Sequence, residues 1–179
     1  FFREVPAGDF IGGKYWYPIS DPERFGILPL ILGSLLVTFG AILVSVPVSI
    51  ASAFYISEVA PAKLKDILKT GIEMLADIPS VVLGFIGMTT LVPWVKKIFH
   101  LPTGLTALSG SIMLGLMAMP TIISISEDAI NAVPKAYKEG ALALGATRWQ
   151  AMYRVVIYAA LPGIIAASML GIGRVIGET

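Results

Sequence analysis

Four stretches of this chain carry no charged side chain: Phe25–Ser57, Ile78–Val95, Leu101–Ser126 and Val155–Gly173. Apolar residues fill each of them, without the strict alternation that marks a membrane β-strand. All four reach the roughly 18–20 residues a helix needs to cross about 30 Å of hydrocarbon. The pattern predicts an all-α fold, a polytopic transmembrane helix bundle. Spans are expected at about Ile27–Ile56, Leu68–Val92 and Leu105–Ser126, with a fourth starting near Val155. Pro29, Pro47 and Pro120 fall inside these spans and predict bends, and Pro79 predicts another in the second.

The polar segments fix the order of the connections. Residues 1–26 form a lead-in whose Tyr15, Trp16 and Tyr17 suit a headgroup layer. Asp21 followed by Pro22 has the order of a helix N-cap and first residue, so a short helix is expected there. "SEVAPAKLKD" reads as a short polar connection, and "VPWVKKIFHLPTG" as the turn between the second and third spans. Glu73 and Asp77 share a helix face and read as a solvated first turn of the second span. Segments 57–70 and 127–154 fall on one side, with Lys63, Lys65, Lys69, Lys135, Lys138, Arg148 and Arg154. Arg3, Lys14, Arg24, Lys96 and Lys97 fall on the other, so the richer side is expected to be cytoplasmic.

Composition agrees with the pattern. Of 179 residues, 56% are apolar and only 14% charged, with a mean hydropathy of +0.82. A soluble domain of this size has no use for so much apolar surface. With no cysteine there are no disulfides and no thiolate metal sites. The single histidine, His100, stands beside Lys96 and Lys97 and reads as an interfacial residue, because a metal site needs about three or four ligands. No nucleophile–base set and no phosphate-cradling loop is visible, so the chain is not expected to be an enzyme, and it is expected to hold no cofactor. No nucleic-acid partner is expected either. "FFREV" resembles the tail of an earlier span and "GIGRVIGET" stops within a helical pattern. The expected organisation is an internal piece of a longer protein, with a 1–26 lead-in and a membrane domain over 27–179.

The segment "NAVPKAYKEGALALGATRWQAMYRVVIYAALP" (131–162) is the most informative. Pro134 suits the first turn of a helix running from Lys135 to Leu144. Gly145 stands where a helix C-terminus needs positive φ. Thr147 and Gln150 have the spacing of a capping box, which would open a second helix leading into the fourth span. The short helix would display Tyr137, Ala141, Leu142 and Leu144 at the membrane surface. Such a knob fits a groove on a partner protein, or the apolar face of a helix lying on lipid.

Here the chain resembles the permease subunits of bacterial ABC importers. Their cytoplasmic loop reads Glu-Ala-Ala, three residues, Gly, nine residues, then I-x-L-P. This chain has Glu139-Gly140-Ala141, Gly145 after three residues, and Val155-x-Ile157-Tyr158 after nine. It departs at Gly140, in place of alanine, and at Tyr158, in place of proline, with Pro162 four residues on. The resemblance narrows at "ADIPSVVLGFIG" (76–87), "PTIISISEDAINAVPKAYKEGALALGATRWQ" (120–150) and "GIGRVIGET" (171–179), which are similar to the phosphate-importer permeases of the Pst system, more PstC-like than PstA-like. Asp77 is a departure, since small residues are more usual there.

The resemblance implies a type I ABC importer permease fold and a multi-pass place in a bacterial or archaeal cytoplasmic membrane. The implied function is import of inorganic phosphate, driven by ATP and Mg bound on a separate subunit. Implied partners are that cytoplasmic ATPase, a second homologous (PstA-like) permease, an extracytoplasmic phosphate-binding protein and the lipid bilayer. Within 127–154, Glu139, Gly140, Ala141, Leu142, Leu144 and Gly145 would couple to the ATPase. The rival readings are a permease for another oxyanion or nutrient, and a membrane scaffold that transports nothing.

Arg174 and Glu178 lie one helical turn apart. An arginine in apolar surroundings is expensive unless paired, and its forked donors match two phosphate oxygens. The two residues are therefore candidates for the substrate pathway, with Glu178 a resting partner for the cation. The alternative is snorkelling, with Arg174 about 30 Å along a helix from Arg154 and near the opposite surface. Gly173 and Gly177 have small-xxx-small spacing, which permits close helix packing in lipid.

Overall fold

In a computed structural model, which describes residues 6–21 and 23–179, four helical stretches are long and apolar enough to cross a membrane: Leu28–Val59, Ser80–Ile98, Ala107–Asn131 and Arg148–Glu178. The chain is an all-α polytopic bundle, as its apolar pattern requires. A small lead-in comes first, made of α1 (Ala7–Gly12) and a two-residue hairpin of β1 (Trp16–Tyr17) with β2 (Arg24–Phe25). Tyr15 stacks on Tyr17, and the Arg24 guanidinium lies 5.2 Å from the centre of the Tyr15 ring. The helix expected at Asp21 does not form. Arg24 and Phe25 pair with the aromatic strand instead, where cross-strand contacts outweigh a weak cap signal. Pro22, Arg3 and the "FFREV" segment lie outside the described residues.

Three helices carry the core. They are α2 (Leu28–Phe54), α6 (Ala107–Asn131) and α9 (Ile157–Glu178). The first two run parallel: Ser111 Oγ donates to the Val37 carbonyl at 3.0 Å, and Ser57 Oγ to Asn131 Oδ1 at 2.8 Å. Their approach is close because Gly115 presents no side chain to the Ala41 carbonyl. Helix α9 runs antiparallel to α6, with Gly171 beside Ile122 and Gly163 beside Ala129. A Cβ on Gly171 would stand 2.3 Å from Ile122 Cγ1, so this glycine sets the helix separation. Gly173 and Gly177, expected to pack closely, meet nothing within 4 Å; they face away from α6. Ala53, Ile56, Ile130, Val156 and Ile164 fill one end of the core.

The second crossing is broken, where the sequence predicted one span over Leu68–Val92. Helix α3 (Ala62–Ala76) stops at Asp77, and α4 (Ser80–Ile86) begins after Pro79. The proline lacks the amide that would continue the ladder. A π-helical turn, Gly87–Leu91, then leads into α5 (Val92–Ile98). Lys96 and Lys97 therefore end a helix, where its dipole favours cations, and the turn is confined to the residues after it. Helix α3 runs antiparallel to α6 from its start, with Lys65 beside Asn131 and Lys69 beside Glu127. Asp77 lies about 12 Å further along this helix than Lys69. Glu73 and Asp77 thus end α3, and the expected first turn of a span is corrected. Likewise α6 does not stop at Ser126 but continues through Glu127 and Asp128 to Asn131.

Candidate functional site

The polar segment after α6 folds as its local signals dictate. Helix α7 spans Lys135–Ala143 and ends at Gly145, whose φ is +87°. The Ala146 amide donates to the Ala141 carbonyl and the Gly145 amide to that of Leu142, which completes a Schellman motif. Thr147 and Gln150 then form the expected capping box, with the Gln150 amide 3.2 Å from Thr147 Oγ1 and the Thr147 amide 2.9 Å from Gln150 Oε1. Helix α8 (Arg148–Ala151) opens there, and a π-helical turn, Met152–Val156, carries it into α9. The Schellman turn and the capping box thus follow one another at the C-terminal end of α7, a short rod, and together they fix the angle at which it meets α8.

That rod presents itself outward. Leu144 is 90% exposed, and Tyr137 and Leu142 are also exposed. Glu139 is exposed and Ala141 half-buried. A Cβ at Gly140 would meet nothing within 4 Å, so packing tolerates the glycine and does not demand it. No residue of α7 is buried. A cleft of about 500 Å³ separates it from the bundle, walled by Glu58, Asn131, Lys138, Glu139 and Met152. Across that cleft Lys138 Nζ donates to Glu58 Oε2.

Beside this rod is a polar cluster that the sequence reading missed. Glu127 is only 2% exposed. Its Oε1 receives Lys65 Nζ at 3.0 Å and its Oε2 receives Lys69 Nζ at 2.8 Å. Asn131 Nδ2 also donates to Oε1. Lys69 reaches Asp128 Oδ1 as well, at 2.7 Å. Asp128 first, and Glu127 second, hold the Lys69 ammonium above the ordinary lysine range, against the opposing effect of burial. A buried carboxylate is tolerable only when its lone pairs are met in this way. The lysines come from 58 or more residues away in sequence, so only their spacing of four along α3 hinted at a shared face. The cluster fastens α3 to the end of α6. It also confirms that segments 57–70 and 127–154 lie at one end of the bundle.

The predicted pathway residues lie higher on α9. Arg174 is half-buried, and its Nη1 donates to Thr121 Oγ1 at 2.9 Å. Thr121 is ten residues before the end of α6 and fourteen after its start, or about 15 and 21 Å. The guanidinium therefore sits near the middle of the helix it packs against. The distance from Arg154 misleads because α9 begins beyond the end of α6, with Gly163 only level with Ala129. Glu178 makes no ion pair with Arg174 among the described residues. Its side chain is exposed and lines a cleft of about 740 Å³, together with Ser34, Ser80, Thr106 and Met113. So Arg174 and Glu178 occupy one face, separately engaged. No group of three or more histidine, aspartate or glutamate side chains is placed to hold a metal among the described residues.

Comparison with known proteins agrees with this architecture. Residues 45–179 match the family described as binding-protein-dependent transport system inner membrane component. The chain is 44% identical over 170 residues to the probable ABC transporter permease protein YqgH of Bacillus subtilis, covering 95% of this chain and 55% of that one. It is 32% identical over 192 residues to the phosphate transport system permease protein PstC of Haemophilus influenzae, covering 97% of this chain and 60% of that one. Against the phosphate transport system permease protein PstA 2 of Mycobacterium bovis it is 34% identical over 160 residues, covering 89% and 51%. The chain thus spans between 51% and 60% of the length of these relatives. No solved structure matches it.

Proposed function

This chain belongs to the family of binding-protein-dependent transport system inner membrane components, a family of membrane permease subunits, and from that premise we infer that it moves inorganic phosphate inward through a cytoplasmic membrane. Phosphate is favoured by the similarity to PstC and PstA proteins and by the chemistry of Arg174. A planar guanidinium at mid-depth offers two parallel donors to a tetrahedral oxyanion. Thr121 Oγ1, which now holds one of those donors, is a neutral ligand that an anion displaces at little cost. Glu178, one turn on, sits at the wide cleft and biases where the anion dwells.

Energy comes from a separate ATPase subunit that carries ATP and Mg, and α7 is the handle it grips. The observation that carries this reading is the form of α7: a short helix whose C-terminus is fixed by a Schellman turn leading straight into the capped start of α8, with Leu144 90% exposed at that turn. A helix meant to lie on lipid has no need of so rigid an exit. Glu139, Gly140, Ala141, Leu142, Leu144 and Gly145 form the gripped surface. A second permease subunit and an extracytoplasmic phosphate-binding protein complete the machine. The test is a single cysteine at Leu144 in the assembled complex, cross-linked to the ATPase, beside labelled phosphate uptake. A cross-link with uptake is expected. Assembly without any cross-link would return α7 to the lipid surface.

A further inference from the structure

Helix α7 has no buried residue, and a cleft of about 500 Å³ lies between it and the bundle. The close neighbours of α7 are α8 and the Met152–Val156 turn, so apolar packing transmits little directly from α7 to α2. One charged contact does cross it: Lys138 Nζ to Glu58 Oε2, with the Glu58 side chain 13% exposed and that of Lys138 36% exposed. Glu58 stands in a π-helical turn, Tyr55–Val59, that ends the first long helix. Such turns are wider than the α-helix and are common where helices flex. The next residue back, Ser57, donates to Asn131 Oδ1, and Asn131 donates to Glu127, the acid that holds Lys65 and Lys69 of α3. Joined through the Ser57–Glu58 peptide, these polar contacts link α7 to the end of α2, to α3 and to the end of α6.

We propose that the Glu58–Lys138 ion pair is the strap through which movement of α7 is delivered to the membrane helices, making Glu58 and Lys138 positioning residues for energy coupling. The proposal rests on α7 being the element gripped by the ATPase, and it adds the route by which force leaves that element. A helix that leans only on α8 and on the Met152–Val156 turn that follows it in the chain pivots when pushed. Tied at its middle to α2, it pulls that helix with it. The pair sits largely out of water on the Glu58 side, so its geometry is held better than that of a free surface pair. Removing one member frees α7 to move while the bundle stays still.

The experiment uses the complete complex in proteoliposomes, with labelled inorganic phosphate and ATP hydrolysis measured together. Glu58→Lys and Lys138→Glu are each expected to lower phosphate moved per ATP by about fivefold or more. The double variant, which restores the pair with its charges exchanged, is expected to recover most of that ratio. Recovery by the exchange identifies the pair itself, and not either side chain alone, as the contact that matters. The Leu144 cysteine cross-link to the ATPase is expected to persist in Glu58→Lys. Unchanged coupling in both single variants, or no recovery in the double variant, would overturn the strap. So would loss of the cross-link in Glu58→Lys, which would make the pair a device for placing the helix. A missing cross-link in the unmodified chain would overturn the docking reading, and the strap with it. A cross-link there, with coupling unaffected in the variants, would overturn the strap alone.

Discussion

Arg174 donates to Thr121 Oγ1 at 2.9 Å, and that single bond fixes the height along α6 of the only cation described in α9. Thr121 is about 15 Å from one end of α6 and 21 Å from the other. A snorkelling arginine turns toward a headgroup layer, whereas this side chain turns to the mid-length of α6. One turn toward the opposite end, Glu178 opens on the wide cleft. About 10 Å the other way, Asp128 and Lys69 close the groove between α6 and α3. The polar groups are therefore strung along α6 and are not gathered in one site.

The topology makes a direct prediction. Lys138 and Lys97 lie at opposite ends of the bundle, in α7 and in the last turn of α5. Single cysteines at these positions are expected to react with an impermeant thiol reagent from opposite sides of the membrane, against a background that contains no native cysteine. Labelling of both from one face would remove the arrangement, and the coupling role with it.

Gly145 is held at a φ of +87°, where a branched side chain is strained by roughly 1–3 kcal/mol. Space is not the obstacle, since a Cβ there would meet nothing within 4 Å. Gly145→Val is expected to break the Schellman turn and misdirect Leu144. Substrate-stimulated ATP hydrolysis by the complex should fall severalfold while the subunit still inserts. Gly145→Asn, which tolerates this backbone, should lose less. Equal behaviour of the two variants would argue against the turn as the cause.

The Glu127 cluster predicts an asymmetry in stability. With Lys65 and Lys69 both replaced by Met, a carboxylate only 2% exposed keeps Asn131 alone. The detergent-solubilised protein is then expected to lose about 3–5 kcal/mol. Glu127→Gln should cost less, because the two lysines, 27% and 34% exposed, can turn to water. Lys69 also sets a pH dependence. Its folded pKa is raised, so its contribution is complete below the ordinary lysine value near 10.4 and is lost as pH rises through the folded value. Thermal unfolding followed from pH 8 upward should show an alkaline decline that Lys69→Met makes shallower.

The legible features were the local ones. Gaps in charge located four crossings because the bilayer imposes length and polarity on each helix separately. The Gly145 turn and the Thr147–Gln150 box were legible because their partners lie within a few residues. The Glu127 cluster was not legible, since its lysines come from a different helix. The break at Asp77–Pro79 was expected only as a bend. How far a proline interrupts a helix depends on what α4 packs against, and Gly87 rests there on Met113. Gly173 and Gly177 carried a packing motif, yet the contact fell to Gly171, on the face that the α6 crossing selects.

Transport by Arg174 variants tests the central claim most directly. Labelled phosphate uptake would be measured in proteoliposomes holding the assembled complex, for Arg174→Gln, Arg174→Lys and Glu178→Gln. If the guanidinium receives the anion, Arg174→Gln abolishes uptake while assembly with the ATPase is retained. Arg174→Lys keeps the charge but loses the planar fork, and uptake is expected to fall at least about tenfold. Glu178→Gln should weaken transport less, because Glu178 is not the anion's ligand. Normal uptake by both the lysine and glutamine variants of Arg174 would contradict the account and leave its bond to Thr121 as a packing contact.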